Sequence, residues 1–583
     1  MQLLDWLIVG LYLVFAMGLG LYLTRRGSKS LVDFFVSGRS LPWWLAGTSM
    51  AATTFSIDTP LYIAGVVSSR GIAGNWEWWS FGISHIILIY IFSRLWRRSE
   101  IVTDAQLLET RYSGRTAAIL RATKAFLFAV PINCIGIGYA MLAMVKVVDA
   151  LQLWQSLGIT PGENIKLLSV IGVSIFVLVY SGFSGLWGVV ATDFFQFFLA
   201  LFGAIVVAVV AVNHVGGIHE LIPMVQQRTD IDILAFIPIT NNFQWSDVAG
   251  ITGTTFAAYL LVQWWSFRRS DGGGEFIQRL AAAKDEAEAE KASWFFNLLH
   301  YIIRTWPWVV VALVAVVIYP GMEDPELGYP KLMLDFLPVG LLGLVVASLV
   351  AAFMSTVSTS INWGASYLTN DLYLRFFRPD ATDAELVLMG RIASVVVTVL
   401  GAIAAFFAQD VATVFRLVIA IGTGPGLVLM LRWFWWRINA AAELAAMVCG
   451  FIVGVITSFA SPVLPIPEDF GLRLMIISGI TAVVWITVML LTPPESDATL
   501  DAFYRQVRPG GPGWRRQQIR TGLYPEQSLG LDALKVVAAT FVLFGVMFAT
   551  GGFLLLQPVM GWVSLILAVL GGVALRSLNR RQV

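Results

Sequence analysis

Charge is what this chain has least of. Only 13% of its 583 residues are Asp, Glu, Lys or Arg, against 57% hydrophobic, and 38 cations nearly cancel 37 anions. A net charge of +1 gives no reason to expect nucleic acid as a partner. Histidine and cysteine are scarcer still, at four and two. Cys134 and Cys449 both lie in apolar runs, so two reduced thiols and no disulfide are expected. Long polar stretches are missing too: those around 213–246, 268–293 and 493–533 are too short to build a core of their own, which argues against an enzymatic domain. The amino terminus, MQLLDWLIVG, lacks a basic leader and a small-residue cleavage site, and it reads as the start of a membrane span.

Apolar sequence is what is abundant. Runs long enough to cross a bilayer fall near 3–24, 41–66, 76–96, 119–149, 165–182, 187–212, 247–267 and 294–319. Others fall near 338–369, 387–408, 411–436, 440–460, 471–492, 534–556 and 558–577. The expectation is an all-α polytopic membrane protein with about 15 transmembrane helices. Lys and Arg concentrate in alternate loops, as in Arg25, Arg26, Lys29 and Arg39, then Arg94, Arg97 and Arg98, then Arg268 to Lys291, then Arg505 to Arg520. The positive-inside rule therefore puts the amino terminus outside and the carboxyl terminus in the cytoplasm of a cell whose inner membrane the chain spans.

In such a chain the informative residues are polar groups at membrane depth, which are costly unless they line a cavity or meet a partner. The stretch TTFSIDTPLYIAG (53–65) carries Asp58 two residues before Pro60, roughly 15 Å of helix from the nearest polar end. Pro60 disfavours helix at Thr59, so the span is a candidate broken helix whose freed carbonyls coordinate a cation. A proline kink with its carboxylate paired to an arginine fits the same residues. In VVASLVAAFMSTVSTSINWG, the carbonyl of Ala352 and the hydroxyls of Ser355 and Thr356 share one helical face, a donor set suited to an alkali cation. Hydroxyls also serve simply to pack membrane helices. Asp193, with Gln196, enters a span near its cytoplasmic end, where water could reach it. Glu77 and Ser80 stand one turn apart in NWEWWS, where a tryptophan belt would also explain the acid. His300 and Arg304 stand one turn apart inside another span, either as a packing pair or as a solute contact.

With those residues in view, the chain resembles the sodium:solute symporter family. DFFVSGRSLPWW followed by GTSMAATTFS resembles that family's first loop and first core helix. SGLWGVVATDFFQ, FIQRLAAAKDEAEAEKA and AAFMSTVSTSINWGASYLTNDLYLRFFRP resemble its signature, inner loop and sodium-site helix, in order and at the family's spacing. The resemblance implies a leucine-transporter fold, with a 5+5 inverted-repeat core containing two broken helices. On that basis residues 1–40 are a leading helix and loop, 41–436 the transport core, and 437–583 accessory helices with a cytoplasmic loop at about 493–533. It implies Na+ as coupling ion, with no organic cofactor, at Ala52, Phe55, Ala352, Ser355 and Thr356, and a sodium exit at Asp193. It implies solute contacts at Asp58, Thr59, Glu77, Ser80, Gln263, Trp264, Trp265 and His300, with Leu417 where the sugar branch offers a polar contact. Two departures stand out: Ser184 replaces a signature glycine, and RRSDGGG looks like an insertion after the second broken helix.

The expected function is a sodium-coupled symporter importing a small polar organic solute, whether sugar, amino acid or organic acid, as a monomer or loose oligomer in the lipid bilayer. Coupling to protons through Asp58 or His300 remains an alternative, and so does a sensor module. The GxSG at 182–185, with His300 as base, would alternatively suit an intramembrane serine protease.

Overall fold

The structure is a computed structural model, describing residues 1–27, 39–101, 103–160, 162–181, 186–240, 244–460, 464–580. Among the described residues no strand forms, as an all-α chain requires. The first half runs α1 (Leu3–Gly27), α2 (Trp43–Thr53), α3 (Asp58–Arg70), α4 (Ile72–Arg98), α5 (Gly114–Ala150), α6 (Ile165–Ser181) and α7 (Leu186–His214). There follow α8 (253–266), α9 (Glu275–Ala282), α10 (Glu286–Ile318), α11 (Leu341–Phe377), α12 (Asp383–Phe407) and α13 (Val411–Gly422). The chain closes with α14 (Ala440–Phe459), α15 (Phe470–Leu491), α16 (Leu529–Leu554) and α17 (Pro558–Arg580).

Among the described residues, 10 of these helices are long and apolar enough to cross a membrane, or 11 with α2 and α3 taken as one bent span. The other expected spans are shorter apolar helices, in α1, α6 and α13, and the interrupted segment that begins with α8. Of these, the segments at α8 and α13 are interrupted spans, which a hydropathy scan cannot tell from unbroken membrane helices.

The first break lies where polar residues crowd an apolar run, but one step earlier than proline chemistry suggests. Residues 54–57 leave the helix, and α2 and α3 diverge by 55°. Thr59 is helical. Pro60 sits in the first turn of α3, where its missing N–H costs no hydrogen bond. The carbonyls freed at the end of α2 find local donors: Thr53 Oγ1 donates to Ser49 O (2.8 Å), Thr54 Oγ1 to Ala51 O (3.0 Å), and Phe55 N to Ala52 O (3.0 Å).

The second interruption is longer. Helix α8 stops at Ser266, Phe267 turns extended, and helix resumes only at Glu275. The freed backbone pairs with the end of α13, through Arg268 N to Gly422 O and Gly424 N to Ser266 O, both 2.8 Å. The RRSDGGG stretch lies within this unwound segment between α8 and α9. Gly272 holds φ +82°, a left-handed turn that a side chain would oppose, and Asp271 anchors the loop by accepting from Arg432 (2.7 Å) and Trp433 (3.1 Å).

Helix α2 packs between α7, α10 and α11, while α3 packs against α10, α5 and α13. Small residues permit these approaches: a Cβ on Gly203 of α7 would lie 2.0 Å from Ser348 Oγ of α11. Both halves of the bent span therefore sit inside the bundle, with the break facing its centre. Cys134 and Cys449 are both free thiols, as expected.

Candidate functional site

Three helices, α7, α9 and α11, converge on the end of α2. Thr356 Oγ1 of α11 donates to Thr53 O (3.0 Å), so a hydroxyl from the second half of the chain meets a carbonyl freed by the break. One residue earlier, Ser355 Oγ donates to Asp193 Oδ1 of α7 (2.6 Å). Asp193 Oδ2 accepts from Ser49 Oγ of α2 (2.5 Å), and Arg279 Nη2 of α9 lies 3.5 Å away. Arg279 also donates to Ser49 Oγ (3.1 Å) and Thr359 Oγ1 (2.7 Å). Asp193 is fully buried, so it is not a hydrated residue at a helix end; α2, α9 and α11 cover it. Ala52, Phe55 and Ala352 are buried around the same junction. The cluster offers carbonyl, hydroxyl and carboxylate oxygens with no sulfur or imidazole, the hard donors an alkali cation prefers over a transition metal. Among the described residues no group of His, Cys, Asp and Glu side chains has the makeup of a multivalent metal site.

Beside the break lies a cavity of about 190 Å³, which Thr53 and Thr356 of the cluster also line. Asp58, Thr59 and Thr54 line it from the bent span, His300 and Arg304 from α10, and Phe415 from α13. Thr54 Oγ1 and His300 Nδ1 are 2.8 Å apart. Arg304 donates to His300 O (3.2 Å), to Ala51 O (3.4 Å) and to the His300 ring, and its guanidinium lies over Phe55 and Trp308. Asp58 is 94% buried by its 6% exposure, and its Oδ1 has no hydrogen-bond partner. The kink-and-arginine alternative is not what forms, since no ion pair joins Asp58 to an arginine among the described residues.

The remaining expected solute contacts lie elsewhere. Glu77 is fully buried but does not line the cavity: it accepts from Arg70 (2.6 Å), Arg416 (2.9 Å) and the Tyr62 hydroxyl (2.7 Å). Gln263 donates to the Glu77 carbonyl (2.5 Å), and Ser80 is buried with its hydroxyl unpartnered. Trp264 and Trp265 donate to carbonyls one turn back in their own helix, at 2.9 and 2.5 Å. None of these four lines the cavity, and neither does Leu417. Sequence reasoning passed over Arg416, the one cation in an otherwise apolar span, and counted Arg279 only among loop charges. Arg268, Arg269, His85 and Tyr301 also line the cavity without having been singled out. Ser184 and its GxSG lie outside the described residues.

Two interrupted helices around a buried cavity, with an oxygen cluster at one break, are the architecture of a secondary transporter. The sodium:solute symporter family profile matches residues 34–450, most of the chain, and the chain belongs to that family. A sodium/glucose cotransporter of Vibrio parahaemolyticus is 29% identical over 485 residues, covering 78% of this chain and 83% of that protein. A sodium/myo-inositol cotransporter 2 of Oryctolagus cuniculus is 25% identical over 550 residues, covering 84% and 77%. Among solved structures, a substrate-bound, outward-open Na+-coupled sialic acid symporter aligns with a TM-score of 0.67 at 21% identity, over 85% of this chain and 99% of that one. At that identity the likeness speaks for the fold alone.

Proposed function

We propose that sodium binds where α2 ends against α11, held by the carbonyls of Ala52, Phe55 and Ala352 and the hydroxyls of Ser355 and Thr356. A small polar organic solute occupies the adjoining cavity, and the two are imported together by alternating access. The observation that carries this reading is that one break of four residues belongs to both sites. Its α2 side meets Thr356, and its α3 side presents Asp58 and Thr59 to the cavity. An ion that ties α2 to α11 would fix the break, and so shape the cavity wall. Linkage then requires the solute to tighten sodium by the same factor.

Asp193 sits beside the cluster with Arg279 and would take sodium as it leaves towards the cytoplasm. In this reading the core is 41–436 with repeats at about 41–212 and 247–436, the amino terminus is outside, and the membrane is the cell's inner one. The relatives are named for small polar solutes, glucose and myo-inositol, which supports the same general class here. A proton-coupled variant has one observation in its favour, the unpartnered Asp58 Oδ1. Thermal unfolding of the purified protein in sodium, potassium and choline chloride, across a pH series, separates the two. Stabilisation specific to sodium and independent of pH is expected; stabilisation that follows pH in all three salts would overturn sodium coupling.

A further inference from the structure

Among the charged groups on the cavity wall, which also include Arg268 and Arg269, the Asp58 carboxylate and the Arg304 guanidinium stand near the break in the bent span and form no ion pair with each other. Asp58 Oδ1 has no partner, and Arg304, 1% exposed, makes no ion pair among the described residues. The partners of Arg304 are two backbone carbonyls and the His300 ring. A guanidinium has five N–H donors, so these contacts leave at least one for a solute. Charges held at membrane depth without counter-ions are costly, and a ligand bearing both complementary charges removes the cost of each.

Asp58 is the first residue of α3, where the positive end of the helix dipole favours an anion. A solute carboxylate is therefore not needed at that helix end, because the chain supplies its own. What Asp58 lacks is a cation. Arg304, one turn from His300 on α10, keeps N–H donor capacity for a carboxylate beside those contacts. The same wall is flanked by aromatic faces, Phe415 packing on Tyr62 at 4.8 Å between ring centres, which would cover the apolar part of a small solute.

We infer that the solute is a zwitterion, with an ammonium or other cationic group on Asp58 and a carboxylate on Arg304, such as an amino acid or a betaine. This rests on the symporter reading and narrows it. It also sets the chain apart from the relatives named for glucose and myo-inositol, which are neutral solutes.

The test uses the full chain in lipid nanodiscs and a matched panel of probes. These are L-proline, L-alanine and glycine betaine as zwitterions, gluconate and L-lactate as anions, glucosamine as a cation, and glucose and myo-inositol as neutral solutes. Each is titrated by thermal shift in sodium and in choline chloride. The panel is repeated on Asp58→Asn and Arg304→Lys, with sodium-dependent stabilisation in the absence of solute as the check that both variants fold. The expected result is that a zwitterion binds tightest and that each substitution weakens it by about tenfold or more, as loss of a charge-assisted contact should. A neutral or singly charged probe as the tightest ligand, no zwitterion bound, or zwitterion affinity unchanged in both variants would overturn the inference. Sodium-dependent binding of glucose would overturn the zwitterion alone and leave the symporter reading standing. Zwitterion binding equal in sodium and choline would do the reverse.

Discussion

Replacing both hydroxyls of the proposed ion site, as Ser355→Ala with Thr356→Ala, removes two of its oxygen ligands and leaves the α11 backbone in place. A hydrogen-bond-like contact to a charged group is worth about 1.5–3 kcal/mol, and about 1.4 kcal/mol is tenfold in affinity. Two such losses would come to about 3–6 kcal/mol if additive. The residues are neighbours, so the lower end is the safer figure, a weakening of sodium binding by about 100-fold. The structure also predicts a cost unrelated to sodium. Thr356 Oγ1 satisfies Thr53 O and Ser355 Oγ satisfies Asp193, so the double variant leaves buried acceptors short and loses stability by about 1–3 kcal/mol per group. A matched control separates the two effects. Thr398 is also buried, and its hydroxyl donates to Ser394 O at 2.8 Å, away from the cluster. Thr398→Ala should keep sodium affinity. The assay is equilibrium binding of radiolabelled sodium to purified protein by scintillation proximity, which needs no knowledge of the solute. A double variant whose sodium affinity stays within about threefold of the parent, well short of the loss of even one ligand, would refute the site.

Further expectations follow from the buried ion pairs and from packing. Asp193→Asn leaves the Arg279 guanidinium buried without its carboxylate and should destabilise by about 3–5 kcal/mol, read as a lower Tm; Arg279→Gln in the same chain should recover part of the loss. Glu77→Gln breaks contacts to Arg70 and Arg416 at once and should cost about as much. A double-mutant cycle with Arg416→Ala, read by thermal unfolding, should show a coupling of at least about 0.5 kcal/mol, and additivity would show that the pair does not interact. Gly203→Ala should cost about 1–3 kcal/mol by overpacking against Ser348, and Ser348→Gly should restore it if that contact is the cause.

How much of this was legible in sequence depends on how far apart in the chain the partners lie. The break at residues 54–57 announced itself locally, because Thr53, Thr54, Ser56 and Asp58 have no place in a plain apolar helix. Only its exact position was off, since proline is tolerated in a first turn. The clustering of Thr356 with the α2 carbonyls was accessible through the family's motif; the spacing of Ala352, Ser355 and Thr356 fits helix packing equally well. Glu77 showed how a costly residue can be recognised and its role still be missed: its partner Arg416 lies 339 positions along, and a lone arginine in an apolar span gave no local sign of which acid it meets. Asp193 looked near a helix end in one dimension, and its burial comes from three other helices. Trp264 and Trp265 stood by motif position as solute contacts, and in the fold each indole N–H is satisfied within its own helix.

The central claim is that sodium and solute share one bent span and move together, and charge movement tests it most directly. Proteoliposomes adsorbed on a solid-supported membrane report the current evoked when the zwitterion panel is added. The account predicts an inward current in sodium chloride that vanishes in choline chloride, that a pH gradient cannot replace, and that Ser355→Ala with Thr356→Ala abolishes. A current of equal size in choline, or one driven by protons alone, would contradict it.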